Sequence, residues 1–213
     1  MCSIRRIRNK NHKRRLHLTI FLKILLQGEG GVGKSTLLNR FLGQPIAKHY
    51  MATIGLRTMS YLTQYNNKQI KLSIIDFAGQ ERFKKLLHSL NNLHRGADAT
   101  LLCFDLADLN TLEPLPEWYE AVARIEPNVP AIIVGTKADK ISSQSILEEI
   151  REKAKILAKT LEEEYKARIG GIIFTSAFQN ICVKEPFKLA VELGYQYMLE
   201  KHKERFLWAQ LNP

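Results

Sequence analysis

A glycine-rich loop at residues 28 to 35 has the residue types that bind phosphate, in the order Gly28-Glu29-Gly30-Gly31-Val32-Gly33-Lys34-Ser35. Its glycines allow successive backbone N–H groups to turn inward around phosphate oxygens. Lys34 adds positive charge at the outer phosphates, and the Ser35 hydroxyl can coordinate Mg²⁺. An apolar run precedes the loop and a helical pattern follows it, as this motif requires. We therefore predict that the loop binds a nucleotide.

A second segment predicts which base is bound. It follows the apolar run from Ala131 to Val134 and reads Gly135-Thr136-Lys137-Ala138-Asp139. A carboxylate at the end of a strand, as expected for Asp139, can accept hydrogen bonds from both N1–H and N2–H₂ of guanine. Adenine offers no such pair of donors, so the segment favours guanine. The stem of Lys137 can lie along the face of a purine.

Residues between these two segments have the types needed to hydrolyse a nucleoside triphosphate. Asp76 follows the apolar run Leu72 to Ile75, where its carboxylate can hold the Mg²⁺ hydration shell. Gly79 offers an N–H to a γ-phosphate, and Gln80 can orient an attacking water. Upstream, the Thr53 hydroxyl can complete the Mg²⁺ site only while a γ-phosphate is present. Gln80 and Lys34 are the predicted catalytic residues.

A third segment, Thr175 to Ala177, follows an apolar strand late in the chain, where a backbone N–H can reach guanine O6. The predicted magnesium ligands are Ser35, Thr53 and Asp76. The predicted nucleotide-binding residues are Gly28, Gly30, Gly31, Val32, Gly33, Lys34, Ser35, Thr36, Thr53, Gly79, Thr136, Lys137, Asp139, Ser176 and Ala177.

These segments, in this order and spacing, resemble the Ras-type small GTPases, and the stretch Asp76 to Phe83 is most similar to the Rab branch. The resemblance covers about residues 20 to 200. It implies slow hydrolysis of GTP to GDP, two conformational states, and effector, activator and exchange proteins as partners. Gly30 lies where larger side chains block assisted hydrolysis in the family. Tyr50 falls where the family often has a tyrosine that closes over the γ-phosphate, so Tyr50 joins the nucleotide-binding set.

The chain also departs from the family pattern at four positions. Ile46 replaces the aromatic residue that usually stacks on guanine, and Thr136 replaces the commoner asparagine. Phe77 replaces the commoner threonine, and Glu29 places a carboxylate inside the phosphate-binding loop. Since an isoleucine stacks poorly on a purine, we expect nucleotide release to be faster than in relatives with the aromatic residue.

The pattern of the remaining chain predicts the elements that position these segments. Met59 to Tyr65 and Gln69 to Ile75 flank a polar turn and predict a β-hairpin. Continuous apolar runs at Ala99 to Phe104 and Ala131 to Val134 predict strands buried on both faces. Helical patterns separate these runs, which implies right-handed crossovers. The predicted fold is an α/β P-loop NTPase, with a six-stranded, mostly parallel sheet, one antiparallel strand and helices on both faces.

Two long helices are predicted in the last third of the chain. A capping-box pattern at Ser145 to Glu148 predicts the start of the first, and Gly170-Gly171 predicts its end. This helix accounts for a span between Asp139 and Ala177 that is longer than a minimal family member requires. The last helix is predicted from about Pro186 to about Trp208.

Charge is concentrated at the start of the chain, whose net charge is +11. Seven basic residues lie between Arg5 and Arg15, and no acidic residue precedes Glu29. We divide the chain into a basic extension at 1–17, a small GTPase domain at 18–208 and a tail at 209–213. The extension has three interpretations: a solvated tail, a contact with an anionic membrane surface, or a contact with nucleic acid, including an import signal.

Cysteine content and chain ends bear on location. Three unpatterned cysteines favour a reducing compartment, and no apolar run has transmembrane length. The chain ends without a cysteine, so we expect no prenyl anchor. The expected location is cytoplasmic, with peripheral attachment to a membrane surface as an alternative. The predicted function is a guanine-nucleotide switch, and the alternative is a GTP-binding scaffold with incidental turnover that acts through its basic extension.

Overall fold

The computed structural model describes residues 19–46, 55–77 and 91–211, without the side chains of 91 and 205–211. Its strands are β1 (Ile20–Gln27), β2 (Leu56–Tyr65), β3 (Lys68–Phe77), β4 (Ala99–Asp105), β5 (Pro130–Thr136) and β6 (Arg168–Phe174). Its α-helices are α1 (Lys34–Phe41), α2 (Asn91–His94), α3 (Leu115–Ala123), α4 (Gln144–Tyr165) and α5 (Glu185–Leu211). The predicted basic extension lies outside the described residues.

The six strands form one sheet in the order β2-β3-β1-β4-β5-β6. β2 pairs antiparallel with β3, and every other neighbouring pair is parallel. The carboxyl ends of β1, β3, β4 and β5 therefore meet at one edge, where such sheets bind ligands. The predicted fold is confirmed. β4 and β5 are buried along their whole length, which explains their continuous apolar sequences.

The predicted β-hairpin is confirmed, with a tighter turn than its sequence suggested. Tyr65 pairs with Lys68, so only Asn66 and Asn67 form the turn. Both have positive φ, at 48° and 58°, a conformation that asparagine tolerates better than most residues.

Helices cover both faces of the sheet and divide the core into two clusters. One cluster joins Leu25 and Phe77 of the sheet to Trp118 in α3 and Leu161 in α4. The other joins alternate residues of β1 to α1 and α5, where the rings of Phe41 and Phe187 stack with centroids 4.0 Å apart. Alternation along β1 thus supplies apolar contacts to both layers.

The start of α4 differs from the prediction. Ser143 is the N-cap residue, and its Oγ accepts a hydrogen bond of 3.4 Å from the backbone N–H of Ile146. The capping box predicted at Ser145 to Glu148 is therefore wrong, because Ser145 already lies in the first helical turn. Two nearby serines offered the same local chemistry, and the chain used the earlier one.

The end of α4 also differs. The helix ends at Tyr165, and Lys166 follows in the left-handed conformation with φ 56°. Gly170 and Gly171 lie inside β6, so the prediction that they end the helix is wrong. A Cβ atom at Gly170 would lie 2.1 Å from Cδ1 of Leu193 in α5. Gly170 therefore allows α5 to pack closely on β6.

In the part of the chain that the structure describes, no helix combines the length and apolar character needed to cross a membrane.

Candidate nucleotide-binding site

The phosphate-binding loop connects β1 to α1 and depends on glycine at its first position. Gly28 has φ 133°, and a Cβ atom there would lie 2.1 Å from the carbonyl oxygen of Cys103 in β4. Gly31 and Gly33 also have positive φ, at 76° and 99°. The loop therefore turns directly against the central strand, and its glycines leave room for a ligand to approach the backbone.

Lys34 is the first residue of α1, and its side chain folds back into the phosphate-binding loop. It is buried, and its ammonium donates to the carbonyl oxygens of Gly28 at 2.8 Å and Glu29 at 2.7 Å. Burial lowers the pKa of Lys34, while nearby Cys103, Asp76 and Glu29 act to raise it. The ammonium thus holds the loop together and places a positive charge where phosphate oxygens would compete with the two carbonyls.

A hydroxyl and a carboxylate meet beside the loop. The Ser35 hydroxyl donates to Oδ2 of Asp76, which lies at the end of β3. Asp76 is fully buried, and its Oδ1 has no hydrogen-bond partner among the described residues. Burial raises the pKa of Asp76, whereas Ser35, Lys34 and Arg57 act to lower it.

This arrangement fits a magnesium ion. A buried carboxylate oxygen without a protein partner calls for a water or an ion. Mg²⁺ takes hard oxygen ligands, keeps several waters, and is usually bound by one or two protein groups together with phosphates. The Ser35 hydroxyl and the Asp76 carboxylate supply oxygens of this kind.

The segment predicted to select guanine lies across a cavity of about 250 Å³ from the start of α1. Asp139, Lys137 and Ala177 line this cavity together with Gly33 and Thr36 of the phosphate side. The Ser176 hydroxyl donates to Oδ1 of Asp139 and so fixes the carboxylate. The structure thus brings the two predicted halves of the site, for base and for phosphate, to one cavity.

Two side chains tie these halves together. The hydroxyl of Thr136 hydrogen-bonds to the carbonyl oxygen of Val32 and lies 2.9 Å from that of Phe104. The ammonium of Lys137 donates to the carbonyl oxygen of Gly31 at 2.7 Å and pairs with Asp105 at 2.6 Å. The stem of Lys137 therefore runs from β5 to the phosphate-binding loop along the cavity.

Two of the three backbone N–H groups of residues 175 to 177 already donate hydrogen bonds within the fold. The N–H of Thr175 donates to Gly135, at 2.7 Å, and that of Ser176 donates to Ile181, at 3.0 Å. Of the two predicted residues Ser176 and Ala177, only Ala177 keeps a backbone N–H that no described residue accepts.

Four predicted site residues, Tyr50, Thr53, Gly79 and Gln80, lie outside the described residues. Their roles stay predictions. Gly30 is described and is exposed at the tip of the loop.

Two features of the site were missed in the sequence. Nε1 of Trp118 donates to the Glu29 carboxylate at 3.1 Å, and no local pattern links residues so far apart in the chain. Phe178 lines the cavity directly after Ala177. An aromatic residue next to a segment predicted to contact guanine was a signal that could have identified it.

Comparison with known proteins agrees with this geometry. The model of the Ras family matches residues 23–195. The chain is 30% identical to the Ras-related protein RABG3b of Arabidopsis thaliana, over 81% of this chain and 83% of the relative. It is 32% identical to the GTP-binding protein yptV5 of Volvox carteri, over 87% of each chain. It is 34% identical to the Ras-related protein Rab-1C of Dictyostelium discoideum, over 82% of this chain and 81% of the relative. The chain therefore belongs to the Ras family of small GTPases, in its Rab branch, and it hydrolyses GTP.

Proposed function

We propose that this GTPase is a guanine-nucleotide switch, which alternates between a GTP form that recruits effector proteins and a GDP form that does not. The observation that carries the proposal is the connection of the two halves of the site. Thr136 and Lys137 join the guanine-selecting segment to the carbonyl oxygens of Val32 and Gly31. One guanine nucleotide can therefore occupy both halves, and the GTP form differs from the GDP form at the γ-phosphate, which Gly79 would contact.

The chain's own residues divide the work of hydrolysis. The ammonium of Lys34 stabilises the charge that develops on the phosphates, and Gly79 donates its N–H to the γ-phosphate. Gln80 orients the attacking water. The Ser35 and Thr53 hydroxyls and the Asp76 carboxylate would hold Mg²⁺, which would supply positive charge to neutralise the phosphates. Thr53 would take part only in the GTP form, which would couple the nucleotide state to the backbone around Thr53.

We infer that hydrolysis is slow without a partner protein. The predicted site residues include no arginine, and an arginine that acts on the γ-phosphate raises the rate by about 10³- to 10⁵-fold. The partners of this switch are then an activator that accelerates hydrolysis, an exchange protein that releases GDP, and effectors that bind the GTP form.

The basic extension adds a second proposed contact. Its seven basic residues, with no acidic residue among them, suit an anionic membrane surface. Each basic side chain near such a surface contributes about 1 kcal/mol. The proposed location is then the cytoplasm, with peripheral attachment to a membrane.

The function is tested by two measurements on the full chain and on Gln80→Leu. In single-turnover hydrolysis with Mg²⁺, we expect the parent to convert GTP and the variant to be slower by tenfold or more. In hydrogen exchange, we expect the GDP form and the form with a non-hydrolysable GTP analogue to differ around residues 47–54 and 78–90.

The outcomes separate the switch from the alternative. Identical exchange in the two nucleotide forms would contradict a switch and favour a GTP-binding scaffold with incidental turnover. Equal hydrolysis by Gln80→Leu would leave the switch possible and assign water positioning to another residue.

A further inference from the structure

Phe178 is the most exposed of the large apolar side chains among the described residues, with 76% of its surface accessible. It lines the same cavity as Asp139 and Lys137. The ring of Phe178 is therefore both accessible and placed at the wall of this cavity, where it can contact a ligand that enters.

The exposure of Phe178 does not come from a loose backbone. Ser176 and Ile181 exchange two backbone hydrogen bonds, of 3.0 and 2.9 Å, across the turn that contains Phe178. The backbone N–H of Gln179 donates to the Ser176 hydroxyl at 3.0 Å. These hydrogen bonds close the turn and hold the backbone at Phe178 in one position.

A second restraint comes from α1. The Arg40 guanidinium donates through Nε to the carbonyl oxygen of Ala177 at 2.7 Å and through Nη2 to that of Phe178 at 3.3 Å. Arg40 belongs to the helix that begins at the phosphate-binding loop. The position of Phe178 is thus fixed relative to both the phosphate and the base sides of the cavity.

Ile46, at the position where the family usually has an aromatic residue that stacks on guanine, does not line this cavity. Ile46 is described and half-buried, and it is not among the described residues that form the cavity wall. An isoleucine also lacks the flat face that stacks on a purine. The aromatic surface near Asp139 comes from Phe178 instead.

We propose that Phe178 stacks on the guanine base of GDP and GTP, and that it supplies the aromatic cover missing at Ile46. The inference rests on the proposed function, since it concerns the same nucleotide site. Asp139 recognises the edge of the base, the stem of Lys137 lies along one side of the cavity, and the ring of Phe178 covers the base and slows its release. Base–aromatic stacking of this kind has a substantial effect on affinity.

The test is the release of GDP carrying a fluorescent label on its ribose, from the full chain in the presence of EDTA. We expect Phe178→Ala to release it about 5- to 100-fold faster than the parent. Phe178→Leu, which keeps an apolar side chain but no ring, is expected to release it nearly as fast as Phe178→Ala. Phe178→Tyr and Phe178→Trp keep the ring and are expected to release it at about the parent's rate.

A matched control is Ile156→Ala, which removes an apolar side chain of similar exposure, 68%, from α4, outside the cavity. Its release rate is expected to equal the parent's. Phe178→Trp provides a signal that a structural role alone would not give: GDP is expected to quench the fluorescence of the variant more than that of the parent, whose tryptophans are Trp118 and Trp208.

The two failures are distinguishable. If the parent chain binds no labelled GDP, both the proposed function and the role of Phe178 fall. If the parent binds GDP and Phe178→Ala releases it at the parent's rate, only the role of Phe178 is overturned, and its exposed ring then serves another contact. If Phe178→Ala and Ile156→Ala accelerate GDP release equally, the role of Phe178 is also overturned, because the effect would then not be specific to the cavity.

Discussion

At the scale of single residues, Asp139 is the side chain that we expect to select the base. Asp139→Asn replaces an acceptor with an amide that is both donor and acceptor, so it should weaken GTP binding by roughly tenfold to a hundredfold. The variant should bind xanthine nucleotides more tightly than the parent does, since their base has an acceptor where guanine has its amino donor. Competition of GTP and XTP against labelled GDP measures both effects. An unchanged affinity for GTP would show that another group recognises the base.

Trp118 controls a charge inside the phosphate-binding loop. It holds the Glu29 carboxylate at 3.1 Å, and a carboxylate released from this bond would repel phosphate. We expect Trp118→Phe to weaken GDP binding by roughly tenfold to a hundredfold, because a hydrogen bond to a charged group is worth about 1.5–3 kcal/mol. The measurement is nucleotide titration.

The control for Trp118 is the double variant Trp118→Phe with Glu29→Gln, which removes the charge. This variant should regain most of the lost affinity. If it does not, the loss comes from repacking around Trp118, which is fully buried, and the carboxylate is not responsible.

The sequence predicted only those parts of the site that local motifs encode. Lys34, Ser35 and Asp139 stand in short segments whose spacing is sufficient to place them. The contact between Trp118 and Glu29 joins residues 89 positions apart, and the Ser176 hydroxyl meets Asp139 across 37 positions. Such contacts depend on how α3 and β6 pack beside the loop, which no local pattern specifies.

At the scale of elements, the close approach of the phosphate-binding loop to β4 makes a testable demand on Gly28. In Gly28→Ala the new methyl group would overlap the carbonyl oxygen of Cys103, which is backbone and cannot move aside. The residue would also be held at φ 133°, a conformation that alanine rarely adopts. We expect the free energy of unfolding to fall by about 3 kcal/mol or more. Urea unfolding of the chain without nucleotide measures it.

Gly43→Ala is the control for Gly28. Gly43 also has positive φ, at 71°, but a Cβ atom there would meet nothing within 4 Å. This variant should lose only the cost of the left-handed conformation, about 1–2 kcal/mol. Equal losses in the two variants would mean that β4 shifts to accommodate the methyl group.

The elements themselves were predicted better than their ends. Continuous apolar runs identified β4 and β5 because both strands are buried on both faces. The predicted ends of α4 were wrong because the residues that cap a helix depend on contacts formed only in the folded chain. Ser143 and Ser145 offer the same hydroxyl, and Lys166 takes a left-handed conformation that local sequence favours only weakly. Gly170 looked like a helix stop, but its small size serves the contact with Leu193.

At the scale of the whole molecule, the end of the sheet remote from the nucleotide contains a buried charge. Asp98 accepts a hydrogen bond of 2.8 Å from the backbone N–H of Lys23, and Gly194 of α5 packs against it. The pKa of Asp98 is raised to about 6, chiefly by burial and to a smaller extent by Glu126, while the backbone N–H of Lys23 and the charges of Lys201 and Lys23 act to lower it.

The raised pKa of Asp98 predicts how stability depends on pH. Because the folded chain binds this proton more tightly than the unfolded chain, the Asp98 contribution to stability falls as pH rises from about 4 to about 6. Asp98→Asn keeps an acceptor for Lys23 without the charge. The free energy of unfolding of Asp98→Asn, relative to that of the parent, should rise by about 3 kcal/mol across this pH interval. Urea unfolding at several pH values tests it, and a constant difference between the two proteins would contradict it.

The basic extension is expected to act on the molecule as a whole, by attracting it to an anionic surface without affecting GTP chemistry. Exposed charges act over about 8 Å at physiological salt, so the association should weaken steeply as salt rises. Sedimentation with anionic and neutral vesicles measures it, with RNA retention at the same salt as the competing outcome. Replacing the seven basic residues by glutamine should abolish binding to anionic vesicles and leave hydrolysis unchanged.

The control for the extension removes a comparable kind of charge elsewhere. Lys155 and Lys159 are exposed basic residues of α4 that pair with Glu152 and Glu163. Their replacement by glutamine should leave vesicle binding nearly intact, because each lysine is already balanced by a carboxylate within its own helix. If instead the glutamine-substituted extension sediments as well as the parent, the extension is a solvated tail. The switch must then reach its membrane through the folded surface.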